Sequence, residues 1–202
     1  MQLLFTTLDI YSGDTIALQS HARDRWLSCS RNSRNSYCYG NGCPKRFMRG
    51  NDWSNCNGET FQIYRKEGSG TVKVGDLIGL YYPYYSGDWF TCWHSIFYYN
   101  CRRSNCPGSP SASTGFSSSG KWTTCWGEVF KIYALYKNIG DVIRRTDDIM
   151  LYYPAEGNWV SLKYDENVTK RRCSLADNDL LLSRTPTIDA YDNCWGEVFN
   201  IT

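Results

Sequence analysis

Apolar and polar residues alternate in short runs along this chain, and no segment keeps a helical period. Behind the turn pair Gly13-Asp14, Ile16 and Leu18 alternate with Thr15 and Ala17, which suits a half-buried strand. The same order follows Gly75-Asp76, where Ile78 and Leu80 are the apolar positions. A second apolar step, Trp26-Leu27-Ser28-Cys29, returns as Trp89-Phe90-Thr91-Cys92. Further on, Phe47-Met48-Arg49 reads as a strand, and Thr60 to Tyr64 puts Phe61 and Ile63 on one face. These runs predict an all-β protein with almost no helix.

The last of these strands belongs to a longer motif. Cys56-Asn57-Gly58-Glu59-Thr60-Phe61-Gln62-Ile63 recurs as Cys125-Trp126-Gly127-Glu128-Val129-Phe130-Lys131-Ile132 and as Cys194-Trp195-Gly196-Glu197-Val198-Phe199-Asn200-Ile201, at a constant interval of 69 residues. Residues 1–202 are therefore read as a single domain of three units, about 1–66, 67–137 and 138–202, each with about four short strands. Unit three offers two heads, Gly140-Asp141 and Asp147-Asp148. The run Asp147-Asp148-Ile149-Met150-Leu151-Tyr152-Tyr153-Pro154 aligns better with Asp76-Leu77-Ile78-Gly79-Leu80-Tyr81-Tyr82-Pro83, so the second register is adopted.

Composition narrows the class. Ten cysteines in 202 residues is heavy use for a reducing compartment, and zinc-type paired C-x-x-C spacings are absent, so a secreted, disulfide-bonded protein is expected. The segment Met1 to Thr7 lacks the basic start and apolar run of a signal peptide, which predicts a mature chain with an added start. No window reaches the ~18 apolar residues of a transmembrane segment. The net charge of +2 is too small to predict a nucleic-acid partner. Asn167-Val168-Thr169 and Asn200-Ile201-Thr202 fit the glycoprotein acceptor pattern.

Units one and two carry Cys29, Cys38, Cys43, Cys56 and Cys92, Cys101, Cys106, Cys125, with the same first two gaps. Four cysteines allow three pairings. Unit three has Cys173 and Cys194, and Leu162 stands where Cys29 and Cys92 would fall. Loss of a whole bridge then joins a loop cysteine to the last one, Cys173–Cys194, and disfavours first-to-last pairing. The adopted set is Cys29–Cys38, Cys43–Cys56, Cys92–Cys101, Cys106–Cys125 and Cys173–Cys194, about five bridges in all; exchange of the two loop cysteines within units one and two stays open.

Repetition also separates scaffold from candidate site. Phe61, Phe130 and Phe199, with Ile63, Ile132 and Ile201, are expected in the core. Trp26, Trp89 and Trp159 are read the same way, and Glu59, Glu128 and Glu197 as turn-bonding carboxylates. Trp53, Trp122 and Tyr191 each precede the last cysteine of their unit, beside Asp52, Asn55 and Asp192. A ring there would stack on a sugar's apolar face while the polar groups take its hydroxyls; the structural alternative is that the rings cover disulfides. In Tyr81-Tyr82-Pro83-Tyr84-Tyr85 and Tyr152-Tyr153-Pro154, alternation turns some rings outward, and Tyr82 and Tyr153 are added to the ligand-binding candidates. The basic clusters Lys45-Arg46, Arg102-Arg103 and Lys170-Arg171-Arg172 are read as solvated charge, with sulfated glycans or anionic headgroups as the functional alternative. Asp177-Asn178-Asp179 lacks the spacing of a calcium loop, so neither metal nor cofactor is expected.

Three units that open on D-x-I-x-L, continue through W-x-S/T-C and close on E-x-F resemble the β-trefoil superfamily, with its ricin-type lectin and fascin-like repeats. The resemblance implies a β-trefoil of three pseudo-threefold repeats with about twelve strands. Ricin-type repeats usually close on Q-x-W, whereas Glu59-Thr60-Phe61 and its counterparts stand here, so that family's sugar-site residues are not carried over. With no nucleophile–base pair or phosphate loop in motif context, no catalysis is expected. The expectation is a secreted lectin-like protein that binds glycans or glycoconjugates. The alternative is a secreted ligand, inhibitor or toxin that engages an extracellular protein through the long disulfide loops. Oligomeric state is left open.

Overall fold

A computed structural model describes residues 8–21, 25–29, 38–41, 60–83, 88–92, 101–104, 128–154, 157–162, 169–171 and 198–202. They contain twelve strands: β1 (Thr15–Ser20), β2 (Arg25–Cys29), β3 (Cys38–Asn41), β4 (Thr60–Arg65), β5 (Leu77–Tyr82), β6 (Asp88–Thr91), β7 (Arg102–Ser104), β8 (Phe130–Ala134), β9 (Asp148–Tyr153), β10 (Asn158–Ser161), β11 (Thr169–Arg171) and β12 (Phe199–Ile201). Six of these close a ring of antiparallel pairs in the order β1-β4-β5-β8-β9-β12 and back to β1. The other six form hairpins outside the ring: β2–β3 on β1, β6–β7 on β5 and β10–β11 on β9.

The expectation of a β-trefoil of three pseudo-threefold repeats with about twelve strands is corrected accordingly. What is seen is a closed six-strand antiparallel barrel plus extra strands, and of the fold expectation the all-β class stands. The repeat misled for a physical reason. Its best-kept motif marks only strands that close the ring, and says nothing of which strands lie outside it.

Closure removes free edges from the barrel and leaves an interior that side chains must fill. Phe61, Ile63, Phe130, Ile132, Phe199 and Ile201 are all fully buried, joined by Ile16, Leu18, Ile78, Leu80, Ile149 and Leu151. One end is sealed by backbone. Ile10 N–H donates to Ile143 C=O (3.0 Å), Ile143 N–H to Val72 C=O (2.9 Å) and Val72 N–H to Ile10 C=O (2.8 Å), so three linkers bond head to tail in a triangle with three buried aliphatic side chains.

The repeated motif also fastens each turn. Gly13 N–H donates to Ile63 C=O and Ile63 N–H to Asp14 C=O; the same pair of bonds joins Gly75 and Asp76 to Ile132, and Thr146 and Asp147 to Ile201. Asp147, rather than Asp141, therefore occupies the place of Asp14 and Asp76. In each turn the aspartate side chain accepts a backbone N–H three residues earlier, from Tyr11, Lys73 or Arg144.

At the other end, Cys29–Cys38 and Cys92–Cys101 are disulfide-bonded and fully buried. Cys38 N–H donates to Cys101 C=O (2.8 Å), which ties one hairpin to the next. The expected bridges Cys43–Cys56, Cys106–Cys125 and Cys173–Cys194 lie outside the described residues.

Candidate functional site

The aromatic platform expected at Asp52, Trp53, Asn55, Trp122, Tyr191 and Asp192 lies outside the described residues, as do Lys45-Arg46 and Asp177-Asn178-Asp179. Tyr82 and Tyr153 are described, and both are buried in the core. Their rings stand 6.0 Å from Phe61 and 6.0 Å from Phe130, so they fill the barrel and are corrected from ligand contacts to packing. The alternation was real but its phase was off by one residue. Tyr81 and Tyr152 are the members of each pair that face outward.

Each outward tyrosine belongs to a cluster on the outside of the barrel. Tyr81 lies 5.1 Å from Trp89 and 6.2 Å from Tyr64, while Tyr152 lies 5.1 Å from Trp159, which in turn is 5.7 Å from Tyr133. Strand pairing explains the contact, because Tyr81 is opposite Trp89 and Tyr152 opposite Trp159. At the third equivalent position Gln19 faces Trp26, and no tyrosine is present. Tyr64 is 7% exposed, and its phenol donates to Gln62 Oε1 (3.1 Å). Burial first, and the neighbouring Tyr81 second, raise its pKa above the ordinary 10.0.

Leu77 packs on the Tyr64–Trp89 cluster and also lines an open cleft of about 190 Å³ with Arg65, Lys66, Glu67, Gly75 and Asp76. Local chain geometry builds it. The closing bond from Lys66 N–H to Leu77 C=O (2.7 Å) holds the end of β4 beside the start of β5. Arg65 donates from Nε to Asp76 Oδ2 (2.8 Å) and from Nη1 to Ser69 C=O (2.8 Å), and the same Asp76 oxygen accepts Lys73 N–H (2.9 Å). Gly75 has a φ of 92°, and a Cβ there would meet Ile139 Cγ2 at 3.1 Å. The missing side chain thus allows both the turn and the approach of Ile139, which remains 43% exposed.

The cleft offers two kinds of surface. Leu77 gives it an apolar side, with Ile139 packed next to Gly75 of its wall; Lys66 and Glu67 give it side-chain polar groups that have no hydrogen-bond or ion-pair partner among the described residues. Asp76, by contrast, is committed to Arg65 and to the turn. Sequence reasoning passed over this site because the Gly75-Asp76 pair reads as a turn and Arg65-Lys66-Glu67 as ordinary surface charge. The available signal was position: a charged triplet directly after a barrel strand, facing a glycine turn. Of the glycoprotein acceptors, Asn167 lies outside the described residues. The Asn200 amide donates to Thr146 C=O (3.1 Å) and Asp148 Oδ1 (3.3 Å), within a strand paired on both sides. Glu128 is buried, and no side chains are described for Arg102-Arg103 or Lys170-Arg171.

No protein-family model matches the chain, and no curated protein matches it. Solved structures do. The chain is similar to a Caenorhabditis elegans protein of unknown function at 10% identity, with a TM-score of 0.59 and 98% of each chain covered. It is similar to the SDF2-like protein from Arabidopsis thaliana at 11% identity and a TM-score of 0.52, covering 96% of this chain and 94% of that one. A third match, the cytolethal distending toxin from Actinobacillus actinomycetemcomitans, has 9% identity and a TM-score of 0.45 over 80% of this chain and 82% of that one. At such low identity the first two likenesses speak for the fold alone.

Proposed function

We propose that this is an extracellular glycan-binding protein without catalytic activity, and that the cleft between the end of β4 and the start of β5 is a sugar site. The observation that carries this is the pairing, in one cleft, of unpartnered side-chain groups on Lys66 and Glu67 with the apolar Leu77, and with Ile139 packed next to Gly75 of the same wall. Sugars present hydroxyls at their edges and C–H groups on their faces, so both surfaces are needed. At about 190 Å³ the cleft is smaller than the ~300 Å³ at which deep small-molecule pockets begin, and it suits a single ring held at the surface. Glycosidic cleavage uses a pair of carboxyl groups, whereas here Asp76 is held by Arg65 and Lys73, leaving Glu67 alone. Buried disulfides support an oxidising compartment, and among the described residues no helix is long and apolar enough to cross a membrane.

The test is a broad glycan array probed with the oxidised full chain and with Glu67→Ala and Ile139→Ala. Binding by the parent, reduced in both variants at unchanged unfolding midpoint, is the expected result. Absence of any glycan ligand would refute the proposal. A second reading, docking to an extracellular protein, is favoured by one observation: Leu8, Tyr11, Tyr136 and Ile139, the exposed large hydrophobics among the described residues, lie in or beside the linkers at the sealed end of the barrel. Pull-down of a defined extracellular partner that Tyr136→Ser abolishes would favour it over the glycan reading.

A further inference from the structure

We infer that the ligand of this cleft is an anionic saccharide whose carboxylate or sulfate group sits against Lys66; this rests on the glycan reading above. Three cations surround Gly75: Arg65 and Lys66 in the lining, and Lys131, whose Cε lies 3.8 Å from where a Gly75 Cβ would stand. Two carboxylates oppose them. Asp76 is already neutralised by Arg65 at 2.8 Å, and Glu67 is exposed.

What remains is an excess of positive charge held where water is partly excluded. Lys66 is half-buried, and its side-chain ammonium has no hydrogen-bond or ion-pair partner among the described residues. Lys131 is half-buried too, and its Nζ stands 5.3 Å from the Tyr133 ring, a contact that leaves its donors free for an oxygen ligand. A half-buried ammonium is stabilised most by an anion that restores the hydrogen bonds it lost from water. Arg65, pinned through Nε and Nη1, keeps a fixed guanidinium at the rim and needs no reordering to join such a contact. Arg65 already has Asp76 as its counter-charge, whereas a neutral sugar would leave the ammonium groups of Lys66 and Lys131 without one.

The experiment compares the full oxidised chain with Lys66→Gln, Lys66→Arg and Lys131→Gln on immobilised neutral, uronic-acid and sulfated oligosaccharides, at about 0.05 and 0.2 M salt. Expected is preference for the acidic sets, loss of about tenfold or more in Lys66→Gln, a smaller loss in Lys131→Gln, recovery in Lys66→Arg and weakening at the higher salt. The uronic and sulfated arms identify which anion is read. Equal binding of neutral sugars, insensitive to Lys66→Gln and to salt, would overturn the inference and leave the glycan reading standing. Binding to no saccharide of any class would overturn both.

Discussion

Thr146→Gly should stabilise this protein, although it removes a side chain and adds a glycine. Gly13 and Gly75 have φ values of 100° and 92°, and Thr146, at the same point of the third turn, is held at 78°. The backbone bond that fixes the conformation is the same in all three, from the N–H of that residue to the carbonyl of Ile63, Ile132 or Ile201. A β-branched residue in the left-handed region costs roughly 1–3 kcal/mol. Against that stands the greater freedom of glycine in the unfolded chain, about 0.5–1 kcal/mol. Thr146 is exposed, so little burial is lost. The difference is a gain of about 1 kcal/mol, or about 2–4 °C in Tm for a chain of this size. Urea unfolding with the disulfides kept oxidised measures it, and calorimetry gives the Tm. The reciprocal change, Gly75→Ala, meets both the φ of 92° and Ile139 Cγ2 at 3.1 Å, and should lose about 1–3 kcal/mol. A Thr146→Gly variant no more stable than the parent, with an unchanged m-value, would refute the reasoning.

Two further outcomes follow from the packing. Replacing Cys29 and Cys38 together by alanine releases a bridge with a sequence separation of 9, which the chain-entropy relation puts at about 2.7 kcal/mol; denaturant unfolding that shows a loss under about 0.5 kcal/mol would contradict it. Tyr64 keeps its proton in the folded state at pH values where the unfolded chain has released it, so its stabilising contribution is complete below pH 10.0 and declines as pH rises above that value. Tyr64→Phe should therefore show a shallower alkaline loss of stability, checked by urea midpoints between about pH 9 and 11, and an identical slope would count against the burial of that phenol.

Much of the scaffold was legible because it repeats. The phenylalanine and isoleucine of each closing motif do line the barrel, and the Asp147 register is the one in which Ile201 makes the bonds that Ile63 and Ile132 make. Matched spacing favoured Cys29–Cys38 and Cys92–Cys101 but left the loop cysteines of units one and two interchangeable; both bridges form as favoured, the first between residues opposite each other on β2 and β3. Strand order was less accessible. Which strands ring the barrel depends on pairings between distant segments, such as β1 with β12, that no local pattern records. The site was harder still. A period of two tells that Tyr81 and Tyr82 face opposite ways, but their phase is set by Phe61, which takes Tyr82 inward, and by Trp89, which meets Tyr81 outside. The cleft arises where Arg65 to Glu67 meet Gly75 to Leu77, with Ile139 brought over Gly75 from a linker some sixty residues away.

Locating bound sugar on the folded chain tests the central claim most directly. Titrating the isotope-labelled, oxidised full chain with a sulfated or uronic-acid disaccharide should shift the backbone amides of Arg65, Lys66, Glu67, Gly75, Asp76 and Leu77 together, along one binding curve. Saturable shifts confined to other parts of the barrel, or none at saturating sugar, would contradict the account.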